Sequence, residues 1–431
     1  MLQTFKNAWK IDDLRKKIIF TLIVLVIYRL GCAIAVPFIR PSALNEMIAA
    51  DNGNMLGYLN MMSGGAFANA TLFALGVMPY INSSIIITLL TVAIPYLEQL
   101  SKEGEEGRKK IAKITRYVAV LIAFILSTGY YFVLKREGAL MYTEGLAGFF
   151  AAVVIIVTFI AGSMLVMWMG EQIDKKGIGN GVSLIIFTGI ISRLSVTATK
   201  FIYMLQEAMA GKTINFVLVP LFIVFAILVI AFAVVLHHAE RRIPVQYAKR
   251  VVGRKMMGGQ NTHLPIKVNM SGVMPVIFAS SIMSIPGTIR AFFNIESEFA
   301  NKLLNVFNYN GFVYAFGYVV LIVLFNYFYV SMQYNPVEIA NNLRKNNGVI
   351  PGFRPGKNTQ DFIAKVISKL TFIGALFLVV VAVLPIITGN LTNTGIQLGG
   401  TSILIVVGVA LEVAQQLEAQ MLARHHKGFL E

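Results

Sequence analysis

The chain has few residues of the types that carry enzyme chemistry or hold metals. Among 431 residues there are one cysteine, Cys32, and five histidines. One thiol cannot build a disulfide framework, and the histidines show no spacing typical of a metal site. Charged residues make up only 13% of the chain, against about 25% in soluble proteins. These absences argue against a disulfide-stapled, metal-binding or ordinary soluble domain.

What the chain has instead is apolar sequence. Hydrophobic residues make up 56% of it, and its mean hydropathy is +0.70. Ala33-Ile34-Ala35 resembles a signal-peptide cleavage site, but the long apolar run before it, interrupted by Arg29, favours a retained span. The sequence therefore predicts an all-α polytopic membrane protein. Ten predicted membrane-spanning helices cover residues 18–35, 76–96, 117–134, 148–170, 181–197, 214–236, 271–289, 311–334, 370–388 and 398–418.

Lysine and arginine are distributed unevenly among the loops between these segments. With the N-terminus in the cytosol, 28 of the 37 basic residues fall in cytosolic segments and eight on the outside, counting Arg193 near the outer end of the fifth span. Because cytosolic loops carry the basic excess in membrane proteins, both termini are predicted to be cytosolic. The chain divides into halves of five spans each, residues 1–200 and 201–431. An odd number of spans gives the halves opposite orientations, so an inverted repeat is a hypothesis from topology.

Two predicted cytosolic loops, residues 237–270 and 335–369, are longer than a turn needs. Both mix basic residues with glycine, proline, asparagine and apolar residues. This composition indicates ordered structure rather than solvated runs of charge.

The predicted spans contain almost no ionisable residues. Arg29 and Glu412 lie within them, and Arg193 and Glu418 fall near the ends of two predicted ranges, whereas ion-coupled transporters place acidic residues or histidines near the middle of the membrane. Residues 211–213 (GKT) resemble the end of a phosphate-binding loop, but Gln206 stands where its first glycine belongs. The sequence thus predicts no enzymatic activity and no cofactor, and any pathway would be lined by apolar and small polar residues.

The second apolar segment is broken by glycines. Gly64 and Gly65 precede ten residues, 66–75, and Gly76 follows them. As an α-helix these ten residues would extend about 15 Å, half of the roughly 30 Å hydrocarbon core. A half-length helix can lie at that depth only where protein or water surrounds it. The residues predict a re-entrant helix, either a static element or one that moves on its glycine hinges.

Seven stretches together resemble the SecY family of protein-conducting channels. They are SGGAFANATLFALGVMPYINSSIII, GEQIDKKGIGNGVSLIIF, RRIPVQYAKR, THLPIKVNMSGVMPVIFASSI, YNPVEIANNL, IPGFRPGKNT and GGTSILIVVGVALE. The resemblance runs in order from the first predicted span to the last. It implies that the half-length helix is a plug that closes a funnel from outside. The plug residues would be Gly64, Gly65, Ala66, Phe67, Ala68, Asn69, Ala70, Thr71, Leu72, Phe73, Ala74, Leu75 and Gly76.

The resemblance also implies a ring of apolar side chains at the waist of the funnel, here called the pore ring. Its members would be Ile81, Ile85, Val182, Ile186, Ile277 and Ile405. Two pairs are spaced four residues apart, so each pair shares one helix face. A constriction of branched apolar side chains excludes water and ions when it is empty. Apolar residues at this spacing also occur on lipid-facing or core surfaces.

A third implied set lines a lateral gate between the second and seventh spans, through which signal sequences and membrane segments leave for lipid. Its members would be Ser83, Ser84, Thr88, Asn180, Ser280, Ser281 and Ser284. Small polar residues between membrane helices contribute about 0.6–2 kcal/mol each, which suits a seam that opens. Ordinary helix packing by small residues is the alternative.

The two long loops would form the docking site for the cytosolic partners. The resemblance implies two such partners, the SecA motor ATPase and the ribosome, and two small membrane subunits, SecE and SecG. Ribosomal RNA is a polyanion and favours basic loop tips, although positive-inside topology alone explains most of these charges. Arg354, held between prolines in PGFRPG, is typical of a contact residue instead. The docking residues would be Arg241, Arg242, Lys249, Arg250, Arg254, Lys255 and Arg354.

The sequence as a whole predicts the channel subunit of a bacterial preprotein translocase in the cytoplasmic membrane. It would pass unfolded preproteins and release membrane segments into lipid, with energy from a separate partner. One alternative is a secondary transporter with broken helices that moves a small solute; the lack of coupling-ion ligands in the spans argues against it. A membrane insertase that passes no soluble chains is a third interpretation, which the sequence does not separate from the first.

Overall fold

The computed structural model describes residues 2–40, 60, 63–193, 195–196, 198–199, 202, 206, 213–247, 250–252, 255–257, 261–292, 311–392 and 400–425. Every predicted span overlaps a helix in this part of the chain. The N-terminal half contains α1 (Leu2–Trp9), α2 (Asp12–Gly31), α3 (Met78–Ala93), α4 (Pro95–Lys102), α5 (Glu105–Arg136), α6 (Gly145–Lys176) and α7 (Gly181–Ser192). The C-terminal half contains α8 (Thr213–His238), α9 (Met274–Phe292), α10 (Phe312–Gln333), α11 (Pro336–Lys345), α12 (Lys357–Thr392) and α13 (Gly400–His425).

The second predicted span ends in a sharp bend. The axes of α3 and α4 differ by 100° across a break at Ile94. Ile94 is extended (φ −107°, ψ 114°), as expected for a residue that precedes proline. Pro95 then begins α4 at a position where its missing N–H costs nothing. The helix through the core thus stops at Ala93, and α4 leaves in a new direction.

Five helical stretches in the described residues are long and apolar enough to cross a membrane, and the bent α3–α4 pair makes a sixth if it counts as one span. Helix α7 has only 12 residues, and a further apolar stretch at the end of α8 is also short. The total of ten spans therefore stays a prediction.

The two long loops pack together as one structure. Strand β1 (Glu240–Tyr247) pairs antiparallel with β4 (Asn261–Lys267), and its end pairs with β5 (Gly348–Val349) of the second loop. Strands β2 (Arg250–Val252) and β3 (Lys255–Met257) form a separate hairpin. Buried residues from both loops share an apolar cluster, including Ile243, Leu343 and Ile350. In the described residues both loops contain regular strands or helix, and residues 357–369 are the first turns of α12 rather than loop.

The main apolar core lies between the two halves. It draws buried side chains from α2, α3, α6 and α7 on one side and from α8, α9, α10, α12 and α13 on the other. Within the N-terminal half, α5 and α6 are joined by an ion pair in which Nε and Nη2 of Arg116 donate to the Glu171 carboxylate, at 2.7 and 2.5 Å. The seam between the halves is where the predicted site residues meet.

Candidate functional site: an apolar constriction between two cavities

The six predicted pore-ring residues come together in the main core. Ile81 and Ile85 lie on α3, Val182 and Ile186 on α7, Ile277 on α9 and Ile405 on α13. The five isoleucines are 1–4% exposed and belong to one buried cluster. Val182 is half-buried and packs against that cluster. Four side chains thus come from the N-terminal half and two from the C-terminal half.

Two cavities meet at this cluster. A cavity of about 220 Å³ opens beside the end of α6 and the starts of α7 and α9, and it is lined partly by Asp174 and Asn180. A second, almost wholly apolar cavity of about 490 Å³ lies between α3, α5 and α9. Ile81 and Ile186 line both cavities. These two side chains are therefore the partition between a polar vestibule and an apolar pocket.

The predicted gate residues divide between three environments. Ser84, Thr88 and Asn180 line the 220 Å³ cavity, and Ser284 lines the 490 Å³ cavity. The other three, Ser83, Ser280 and Ser281, are at most 5% exposed and line neither cavity.

Helix α3 packs directly against α9, so the predicted seam is closed in this structure. The hydroxyls of Ser83, Thr88 and Ser284 donate to carbonyl groups of their own helices, at 2.5–2.8 Å. The Asn180 side chain accepts from the Ser183 N–H and caps α7. These bonds stabilise single helices and do not join the two, and the gate assignment stays a prediction.

The plug residues lie next to the constriction, but the expected helix over residues 64–76 is wrong. The segment is a series of turns, in which most backbone hydrogen bonds reach back three residues. Ala70 has φ +44°, which an α-helix does not allow. Thr71 instead forms a β-bridge with Ala35, where the Leu72 N–H donates to the Ile34 carbonyl at 2.9 Å. Contacts with the segment after α2 thus replace the regular helix.

Two aromatic side chains fix the plug segment in the N-terminal half. Phe67 stacks on Tyr130 of α5 with ring centroids 4.5 Å apart, and Phe73 stacks on Tyr28 of α2 at 5.7 Å. Both phenylalanines are 2% exposed. Phe73 also lies over Gly31, where a Cβ atom would come within 2.0 Å of its ring. The segment is a packed element of the closed state, not a loop on its surface.

The predicted docking residues lie on the joined loops. Arg241, Arg242 and Arg354 are exposed, and Arg242 forms an ion pair with Glu240 at 2.7 Å. The backbones of Arg250 and Lys255 lie in the β2–β3 hairpin. Two other predicted residues, Lys249 and Arg254, fall outside the described residues.

The Arg354 turn is rigidly built. The Thr359 hydroxyl donates to the Arg354 carbonyl at 2.9 Å, and the neighbouring Phe353 packs on Phe362 with ring centroids 4.1 Å apart. Gly352 and Gly356, on either side, have φ of +87° and +106°. Arg354 is therefore presented to solvent on a fixed turn.

A family model described as SecY matches residues 71–414, which is most of the chain. The chain belongs to the SecY family. A relative from Thermotoga maritima, named Protein translocase subunit SecY, is 41% identical over 437 residues and covers 100% of this chain and 98% of its own. A relative of the same name from Bacillus licheniformis is 42% identical over 438 residues and covers 100% of both chains.

Solved structures share the SecY-family fold. One described as a protein-conducting channel covers 96% of this chain and 94% of its own, with a TM-score of 0.66 and 19% identity. A second concerns the plug domain of a SecY protein and the closed state of its channel, with the same coverage, a TM-score of 0.63 and 19% identity. Sec61 from a canine ribosome–channel complex matches with a TM-score of 0.61 and 18% identity over 96% and 94% of the two chains. At these identities the likeness shows the fold.

Sequence reasoning missed several residues that line the two cavities of the candidate site. Tyr80, Asp174 and Tyr329 line the vestibule, and Asn82 and Thr288 line the apolar pocket. Polar residues flanking an otherwise apolar span were the available signal. The pattern did not say which of them face the seam, because that depends on helices far apart in sequence.

Proposed function

We propose that this chain is the channel subunit of a protein translocase. It lets unfolded secretory preproteins cross the cytoplasmic membrane and releases hydrophobic segments sideways into lipid. The observation that supports this most directly is the apolar partition at Ile81 and Ile186, with a polar vestibule on one side and a packed plug segment beside the other. Such a partition has no ligand groups for a particular solute. It fits a substrate that is a chain of varied side chains.

The rim of the apolar pocket supports the sideways route. The pocket lies between α3 and α9 and is lined mainly by isoleucine and leucine. A hydrophobic helical segment that entered there would exchange water for apolar contacts, at about 25 cal/mol per Å² buried. Signal sequences and membrane segments are substrates of this kind.

The chain forms no covalent bond in this scheme, so the energy comes from a partner. The joined loops form one docking surface, with Arg241 and Arg354 exposed on it. We assign this surface to the SecA motor or the ribosome, and we expect SecE and SecG to complete the membrane complex. The excess of basic residues in the predicted cytosolic segments supports a cytosolic location for both termini and for this surface.

Site-specific photocrosslinking tests the proposal. A photoreactive residue at Ile186, in the partition, should crosslink to a preprotein jammed during transit. The same residue at Leu121 of α5, which is 60% exposed, should face lipid and should not crosslink.

A chain that moves small solutes would give no crosslink at either position. Equal crosslinking at both positions would show that the preprotein does not pass through the partition. Either result contradicts the proposed function.

A further inference from the structure

The plug segment has a structural need that a helix would not have. Because residues 64–76 form turns rather than a regular helix, several of their carbonyl groups lie outside a helical ladder. The segment is nevertheless buried, and Ala66, Phe67 and Phe73 are 1–2% exposed. A buried carbonyl without a partner costs free energy comparable to a lost hydrogen bond. Donors must therefore come from the surrounding helices.

Three side chains on three different helices donate to carbonyls of this segment. The guanidinium of Arg29, on α2, donates to the Gly64 carbonyl at 2.9 Å. The hydroxyl of Tyr130, on α5, donates to the Phe67 carbonyl at 2.5 Å. The third donor, the Ser163 hydroxyl on α6, bonds the Gly76 carbonyl at 3.1 Å.

The three bonds are spread over the whole segment. They hold its first residue, its fourth and its last, so the segment as a whole cannot leave without breaking them. Tyr130 is completely buried and Ser163 is 2% exposed, so neither donor exchanges its partner for bulk water in the closed state. The Phe67 carbonyl also accepts from the Ala70 N–H at 3.1 Å, and both of its lone pairs are then used.

We propose that Arg29, Tyr130 and Ser163 form a backbone clamp that positions the plug segment and sets how readily it leaves. This inference rests on the proposed function, since it concerns the regulation of the same channel. The clamp binds main-chain oxygen atoms, so it does not depend on which side chains the segment carries. All three donors belong to the N-terminal half. The clamp therefore keeps the segment with that half when the two halves separate.

Accessibility of the segment gives a direct test. In a Cys32→Ala background, a cysteine replaces Ala66, which is 1% exposed. The rate at which a membrane-impermeant maleimide, added from outside, labels this cysteine then reports how often the plug segment leaves its packed position. Tyr130→Phe and Ser163→Ala each remove one clamp hydroxyl and keep the rest of the packing. We expect each to raise the labelling rate about fivefold, the factor that corresponds to one hydrogen bond, and the double variant to raise it about twenty-fivefold.

The matched control is Ser127→Ala. Ser127 is a fully buried serine of α5 whose hydroxyl bonds the Phe124 carbonyl of its own helix at 3.0 Å. It removes a buried hydroxyl from the same helix as Tyr130 without removing a bond to the plug segment, and it should leave labelling unchanged. Because the two clamp variants are independent, one of them suffices if the other does not fold.

Labelling rates of Tyr130→Phe and Ser163→Ala equal to that of Ser127→Ala would overturn the clamp. The labelling needs no preprotein and no motor, so it tests the clamp even if the chain transports nothing. Unchanged labelling together with normal preprotein passage would refute the clamp and leave the proposed function intact.

Discussion

Replacing Ile81 with asparagine should make the resting channel leak ions. Ile81 is 4% exposed and is one of two side chains that line both cavities of the site. The other, Ile186, faces the same boundary from α7. An amide at this boundary would give water a hydrogen-bonding group at the one point where the two cavities are separated. The dry constriction would then fill more readily.

The size of the effect follows from two terms. Burying an isoleucine side chain stabilises the dry state by about 1.5–3 kcal/mol. A buried amide without partners destabilises that state by about 1–3 kcal/mol. Asparagine keeps one buried methylene group and so retains part of the isoleucine's burial free energy. The net shift towards the wet state is about 3 kcal/mol, a factor of roughly one hundred in the wet-to-dry ratio.

Ion conductance across planar bilayers is the measurement, with the protein purified together with its associated subunits and no preprotein present. Two matched variants control it. Ile81→Val keeps the position apolar, and its resting conductance should equal that of the wild type. Val92→Asn places the same amide on α3 at a residue that is 59% exposed, and should also stay tight. Conductance of Ile81→Asn no higher than that of Val92→Asn would refute the assignment of Ile81 to the seal.

Three further outcomes are expected. Gly162→Ala should displace the plug segment and raise resting conductance, because the added Cβ would lie 1.9 Å from the Leu72 carbonyl oxygen. Gly170→Ala on the same helix is the control: its Cβ meets only ordinary contacts of 3.4 Å and longer, and the variant should behave as wild type. Arg354→Glu should abolish most motor-driven export in reconstituted vesicles and leave membrane insertion of the protein intact. If its export rate equals that of the control Lys365→Glu, which changes another exposed charge, then Arg354 makes no contact with the motor. Deleting residues 66–75 should give a channel that exports protein but conducts ions at rest; loss of folded protein on deletion would instead mark the segment as a static structural element.

The positions of the helices could be predicted because apolar length determines them. Each predicted span overlaps a helix, and the five pore-ring isoleucines predicted from the resemblance share one buried cluster, against which Val182 packs. The bend at Ile94 was missed even though Pro95 is visible in the sequence. The apolar run continues across the proline, so hydropathy alone hides the break.

The plug conformation could not be predicted from local pattern. Alanine-rich residues between glycines favour a helix, and several contacts from outside the segment override that preference. The β-bridge of Thr71 to Ala35, the Arg29 bond to Gly64 and the Tyr130 bond to Phe67 link residues about 35 to 63 positions apart. The strand pairing between the two loops was missed for the same reason, since it joins Gln246 to Val349.

The seal and the clamp divide between the halves in different ways. The pore ring takes side chains from both halves, with Ile81 and Ile186 on one side and Ile277 and Ile405 on the other. Parting the halves therefore widens the constriction. The clamp donors and the plug segment all belong to the N-terminal half, so the same movement breaks none of the three hydrogen bonds. We therefore expect the seam to open before the plug leaves, and the plug to follow only when a chain in the pore removes its remaining contacts.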